Sequence, residues 1–558
     1  MRYLFAVDRM AKMVGFSAMA FLASTSIFVF SQWFYGVQAL AGLAGWVWWI
    51  SLAILLLCPF AGSVVFNDVW QRRRQLLEQL EMTSWFRPKS WKDLWDQSKD
   101  NKQQVPVTVL DTSRFVAGGQ TWHWDDFTKS CFVFGQSGSG KTVCVLNALL
   151  DGLLSSSATC SNPAGGLILD PKGDFRGKVR NVMRRHNREE SLIVIDPANP
   201  NISARWNPLD SPDDELELAS RFAATLEALG MKQQDTSFWI DSAKKFLRHA
   251  IKLVRLTNPA GQPPNLADVG ELATSGHALS ERVSRLDLTS NECDQCLTYF
   301  ANEWTELASE TRTSIMSYLT NMIDPFLMEP YATLFSGTST MQIGDMINNG
   351  IVLYVDMPIA DREAMARAVG TFIKLEYFRE VLKRPDKPRP TFFLCDEFQV
   401  FFTTAHGKGD SDFLERSRQS NHANVLASQN LPALLKQSNK EEPVLNLLGN
   451  CAIKLFLRNT DSKTNQYGSQ LFGQQLISMG SSHAGGSVGF GRMQIAGAGD
   501  SVSTQDQYDS VVRPERFTEL AIPSRVHDVA YCEAILHNAA VAEMETGAST
   551  LNWPVHPI

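Results

Sequence analysis

Residues Gly135-Gln136-Ser137-Gly138-Ser139-Gly140-Lys141-Thr142 fill every fixed position of the spacing GxxxxGK[ST]. That spacing suits the holding of a polyphosphate. Glycines let the backbone curl until successive amides point at one anion, and a helix N-terminus directly behind adds its positive end. On this reading Gly135, Ser137, Gly138, Ser139 and Gly140 cradle the phosphates of ATP. Lys141 reaches the β and γ groups, and the Thr142 hydroxyl holds Mg2+. A chance glycine-rich turn is the bland alternative. The flanks argue against it, because 131–134 reads as a buried strand and 143–150 as an apolar helix.

A second stretch supplies the acids that such a loop needs. Thr391-Phe392-Phe393-Leu394-Cys395-Asp396-Glu397 is an apolar strand ending in two carboxylates. Asp396 would hold Mg2+ through its water shell, and Glu397 would orient and deprotonate the attacking water. Asp-Glu after a strand is weak evidence alone and strong evidence beside a phosphate loop. The next strand ends in Ser428-Gln429-Asn430, where Gln429 either senses the γ-phosphate or merely caps a helix. Arg416 and Arg418 precede that strand, and Arg458 ends the one after it. An arginine can cross into a neighbouring subunit's site and stabilise charge on the transferred phosphate. Arg418 is the first candidate and Arg458 the second, with a solvated helix face as the competing explanation. Cys293-Asp294-Gln295-Cys296 is a lone CxxC with no second pair of ligands nearby, so ordinary helical cysteines are expected there rather than zinc.

These groups can act together only if a scaffold brings them to one edge. Candidate strands at 131–134, 166–170, 192–196, 351–356, 391–396, 423–428 and 452–458 are apolar almost throughout, which predicts strands covered on both faces in a parallel sheet. Several end in Asp at the carboxyl end, the edge where open α/β sheets bind ligands. The alternation of strand and helix stops at 210–346, where helical patterns at 213–229, 238–255 and 310–323 predict an all-α inserted domain. The expected class is α/β with a mostly parallel sheet, built from 75–209 and 347–558 around that insert. A stretch rich in Gly, Ser and Ala at 480–499 reads as a flexible loop.

A chain of 558 residues is too long for one ordinary core. Its net charge of −7 gives no global basic signature, so contact with nucleic acid would have to come from local patches. Two uncharged or nearly uncharged apolar spans, about 13–31 and 46–66, are each long enough for the roughly 20 residues a bilayer helix needs. They predict a transmembrane hairpin within 1–74. Arg2, Arg9 and Lys12 before it and Arg72, Arg73 and Arg74 after it would hold both ends in the cytoplasm. A cleaved signal peptide would leave the second span unexplained. The nine cysteines do not suggest a disulfide framework in a chain whose bulk is expected in the cytosol.

In order along the chain stand GQSGSGKT, Asp170-Pro171-Lys172-Gly173-Asp174, Ile195-Asp196-Pro197, Arg205-Trp206-Asn207-Pro208-Leu209 and Leu394-Cys395-Asp396-Glu397-Phe398. This series resembles the TraG/TraD group of type IV secretion coupling proteins, from the hairpin to about Phe517. The DPKGD and RWNPL segments are its more specific pieces. The resemblance implies an inner-membrane ATPase with RecA-like P-loop NTPase domains in a hexameric ring, the all-α domain lying at its cytoplasmic mouth. It implies DNA, relaxase or relaxosome proteins and the secretion system's inner-membrane components as partners. It also implies Arg418 as the finger acting between subunits and Gln429 as the sensor. The same motor serving protein effectors, and a membrane receptor that binds nucleotide without hydrolysing it, are the alternatives. The chain ends at Ile558 without the long acidic tail of some relatives, which points recruitment towards the helical domain or an adaptor.

Overall fold

The computed structural model describes residues 114–158, 163–173, 175–228, 237–286, 290–384, 389–404, 409–438, 440–483, 501–540 and 549–556. The expected membrane hairpin and the polar stretch after it lie outside these residues, as does Asp174. Among the described residues no helix is long and apolar enough to cross a membrane.

Among the described residues are thirteen strands: β1 (Arg114–Ala117), β2 (Gln120–His123), β3 (Cys131–Phe134), β4 (Gly165–Leu169), β5 (Leu192–Ile195), β6 (Val352–Val355), β7 (Thr391–Cys395), β8 (His422–Ser428), β9 (Ile453–Leu457), β10 (Gln474–His483), β11 (Ser501–Ser510), β12 (Tyr531–Asn538) and β13 (Ser549–Pro554). Nine of them form one sheet in the order β13-β12-β9-β3-β8-β7-β4-β6-β5. The seven strands from β9 to β5 run parallel, and β12 and β13 close one edge antiparallel. Continuous apolar sequence forms these parallel strands because helices cover both faces. Side chains still alternate between the faces. Phe132 and Phe134 join one core with Phe398 and Phe456, while Cys131 and Val133 join the other with Leu149, Leu150 and Leu153.

Seven strands expected from the sequence are found within a residue or two of their bounds. Six others were not anticipated. The segment 480–499 is corrected in part, since 480–483 complete β10, which pairs with β11 from Gln474↔Ser510 to His483↔Ser501.

Between β5 and β6 the described elements are helices only, the longest being Ser237–Thr257 and Ser309–Leu327. The RWNPL segment is the seam where the chain enters them. Trp206 is buried, its backbone N–H donates to the Leu334 carbonyl (2.8 Å), and its ring meets Phe335 edge-on at 6.2 Å. The Asn207 side-chain amide donates to the carbonyls of Pro264 and Gly337, both at 2.9 Å. A buried ionic knot ties the first of these helices, Glu215–Ala228, to the crossover helix Ile359–Lys383. There Asp213 accepts from Arg221 (2.8 Å) and pairs with Arg379.

Candidate functional site

The loop from Gly135 to Thr142 joins β3 to a helical segment that opens with a π-wound turn, Lys141–Leu146, and continues as Asn147–Ala158. It hangs from the carboxyl ends of both neighbouring strands. Gly135 N–H donates to the Ser428 carbonyl at the end of β8 (3.2 Å), and Gln136 N–H to the Arg458 carbonyl after β9 (3.1 Å). Gly138 and Gly140 take φ of 78° and 96°, left-handed conformations that side chains rarely tolerate. The first amides of the following helix have no intrahelical acceptor, so they remain available to an anion. The Ser139 hydroxyl is buried in the loop with no hydrogen-bond partner. A buried polar group left unpaired is costly, and a phosphate oxygen would satisfy it.

Lys141 is 4% exposed and closes the loop by donating to the Gly135 carbonyl at 2.7 Å. Burial lowers its pKa, with Glu397 and Asp396 opposing. The Thr142 hydroxyl donates to Asp396 Oδ2 at 2.8 Å, which joins the loop to β7 across 254 residues of sequence. Asp396 is buried, accepts the Glu397 N–H at 2.9 Å and is placed by its own N–H donating to Leu169 at the end of β4 (3.2 Å). Glu397 itself adopts φ 47°, ψ 47°. Its Oε1 lies 3.9 Å from the Lys141 ammonium, and its Oε2 accepts from the Gln399 amide at 2.7 Å. Burial alone would push its carboxyl up, but Lys141, Lys172 and Gln399 together hold it below the usual carboxylate range.

The structure therefore brings Lys141, Thr142, Asp396 and Glu397 together and adds Lys172, whose ammonium touches Glu397. Asp170 stands in the turn after β4, near enough to favour the charge of Lys172. Its carboxylate accepts from the N–H groups of Lys172 and Phe175, each at 2.9 Å, and from the Tyr354 hydroxyl at 3.2 Å, so it shapes the turn after β4. Gln429 follows β8 at the same sheet edge. Its carbonyl accepts from Asn459 (2.8 Å), and its side chain has no hydrogen-bond partner among the described residues. Arg458 is committed within its own chain, donating through Nε to the Thr518 carbonyl at 2.9 Å. Arg418 is exposed and precedes β8, so it stands at the amino edge of the sheet, opposite its own phosphate loop. It lines a cavity of about 370 Å³ with Thr128, Lys129 and Asn450. Cys293 and Cys296 are free, buried thiols on the helix Asn291–Thr298, and no cluster of metal-ligating side chains occurs among the described residues.

Solved structures of similar fold include the conjugative coupling protein TrwB in three states. The unbound monoclinic form matches with TM-score 0.56 and 16% identity, covering 84% of this chain and 92% of that one. The complex with ADP and Mg2+ matches at TM-score 0.54, 15%, 84% and 92%. The complex with the non-hydrolysable ATP analogue ADPNP matches at 0.55, 16%, 84% and 93%. No curated relative matches the sequence. The family model described as "Type IV secretory system Conjugative DNA transfer" matches residues 88–515, more than three quarters of the chain. With the loop, the acidic pair and this match in hand, the chain belongs to the type IV secretory system conjugative DNA transfer family.

Proposed function

We propose that the chain is an inner-membrane ATPase that drives a DNA–relaxase substrate towards a type IV secretion channel. The observation that carries the reading is the joining of Thr142 to Asp396 at 2.8 Å with Lys141 and Glu397 facing each other beside it. These are the groups needed for phosphoryl transfer to water, held in water-poor surroundings.

The residues present fit ATP and Mg2+. The loop amides, Ser139 and Lys141 would hold the phosphates, and Thr142 and Asp396 would hold the metal, which supplies charge neutralisation on the β and γ oxygens when bound. Glu397 orients the water and accepts its proton. Gln429, directly after the strand next to β3 and free at its tip, senses the γ position. Because Arg418 stands at the far edge of the sheet, it can serve only a neighbour's site, and a ring, hexameric by family resemblance, provides that neighbour. Arg458, whose Nε is held by the Thr518 carbonyl of its own chain, is the second candidate. DNA contact is with backbone phosphates and independent of sequence.

The test is steady-state ATP hydrolysis by the full chain in detergent or nanodiscs, with and without single-stranded DNA, across a range of protein concentrations. Stimulation by DNA and a rate per subunit that climbs with concentration support the motor. A chain that binds ATP but never hydrolyses it is a receptor, and the motor reading falls. Stimulation by a protein effector and not by DNA reassigns the cargo.

A further inference from the structure

Lys172 has no part in the hydrolytic scheme above, yet it makes the closest approach to its centre. Its ammonium lies 2.5 Å from Glu397 Oε1 and 3.7 Å from Asp396 Oδ2, so one side chain touches both carboxylates. The Asp170 turn fixes its backbone, and its stem crosses from the end of β4 to the neighbouring β7. Lys141 also faces Glu397, but Lys141 is 4% exposed and bound to the loop carbonyl, whereas the Lys172 side chain is 41% exposed and held only at its tip. One lysine is fixed and the other can leave.

A base must be reached by water in the right orientation, and a side chain already bonded to its oxygens stands in the way. The Glu397 carboxylate is engaged at both oxygens, Oε1 facing two lysines and Oε2 accepting from the Gln399 amide, a set that holds it still and crowds the approach of water. We infer that Lys172 is a latch on the hydrolytic carboxylate: it restrains Glu397 through the contact seen here and must swing out before hydrolysis starts. The exposed stem provides the path, and triphosphate entering the cradle gives the ammonium a more negative partner. This inference rests on Glu397 being the base. The rival is a second, permanent phosphate lysine alongside Lys141.

The test uses the full-length protein with Lys172→Met, Lys172→Arg and Glu397→Gln. Two quantities are read: hydrolysis without nucleic acid over a range of ATP concentrations, and affinity for ADP with Mg2+ by calorimetry. The latch predicts that Lys172→Met raises unstimulated kcat about fivefold or more with KM within about twofold, since a restraint on the chemical step is lost while ground-state binding is kept. Lys172→Arg, which preserves the ion pair, stays near the parent rate, and ADP affinity in both stays within about twofold or tightens. A kcat that is unchanged overturns the proposal. So does a fall of about tenfold in kcat or in ADP affinity, which marks a phosphate ligand. Glu397→Gln separates the two readings: if that variant hydrolyses ATP normally, the assignment of the base has failed, whatever Lys172→Met does.

Discussion

Glu397 sits in a left-handed conformation that costs a non-glycine residue about 1–3 kcal/mol. Such strain persists only where the surroundings over-determine it, and here the Asp396 carboxylate, Gln399 and two lysines do so. The consequence is a base fixed in place before substrate arrives. Glu397→Gln keeps the shape and removes the proton acceptor, so kcat should fall about 10²–10⁴-fold with ADP affinity retained. Lys141→Ala should lose both, because its ammonium closes the loop and would meet the phosphates; calorimetry beside steady-state rates distinguishes the two variants. The four central residues were legible because each lies in a short contiguous motif. For Lys172 the sequence leaves open an approach to the nucleotide, a subunit boundary or a turn. Its bond to Glu397 spans 225 positions and exists because β4 and β7 are neighbours in the sheet, an adjacency that chain order does not reveal.

At the level of elements, the sheet carries a pH liability at the start of β8. His422 is fully buried, its Nδ1 2.9 Å from the Thr391 hydroxyl, and burial with Arg384 nearby pushes its pKa down to about 3. The ring is neutral in the folded chain, whereas an unfolded histidine takes a proton near pH 6.5. The unfolded state therefore binds more protons between about pH 6.5 and 3, and stability falls as pH drops through that window. Each unit within it costs about 1.4 kcal/mol at full effect. His422→Gln should flatten this slope, measured as the pH dependence of the denaturation midpoint. A second element-level test is the seam residue Trp206. Truncation to alanine should cost about 3–5 kcal/mol in thermal or denaturant unfolding while leaving nucleotide affinity in the remaining folded protein unchanged. The parallel strands announced themselves as unbroken apolar runs. β10 and β11 did not, because Gly480, Ser481, Ser482 and the run Gln505-Asp506-Gln507 carry no apolar alternation, and local ladder pairing supplies what a buried face does elsewhere. β12 was missed because its apolar positions, Cys532, Ala534, Ile535 and Leu536, break the period of two.

For the whole molecule, the separation of Arg418 from its own phosphate loop sets the terms. If catalysis is shared, Arg418→Ala and Lys141→Ala should each be inactive alone and partly active when mixed. The Lys141→Ala chain then lends its arginine to a partner whose own loop is intact. Mixing that restores nothing would sink the arrangement in trans. The helices between β5 and β6 raise a different matter. The chain departs at Arg205–Trp206 and rejoins at Leu334–Thr340, and these two strands of backbone bond to each other: Trp206 N–H to Leu334 O at 2.8 Å, Thr340 N–H to Arg205 O at 2.9 Å. A polypeptide that leaves and returns through adjoining positions behaves as a cassette. A bundle of different length or surface could be spliced at those two points without stretching either joint, leaving the sheet and its phosphate loop undisturbed.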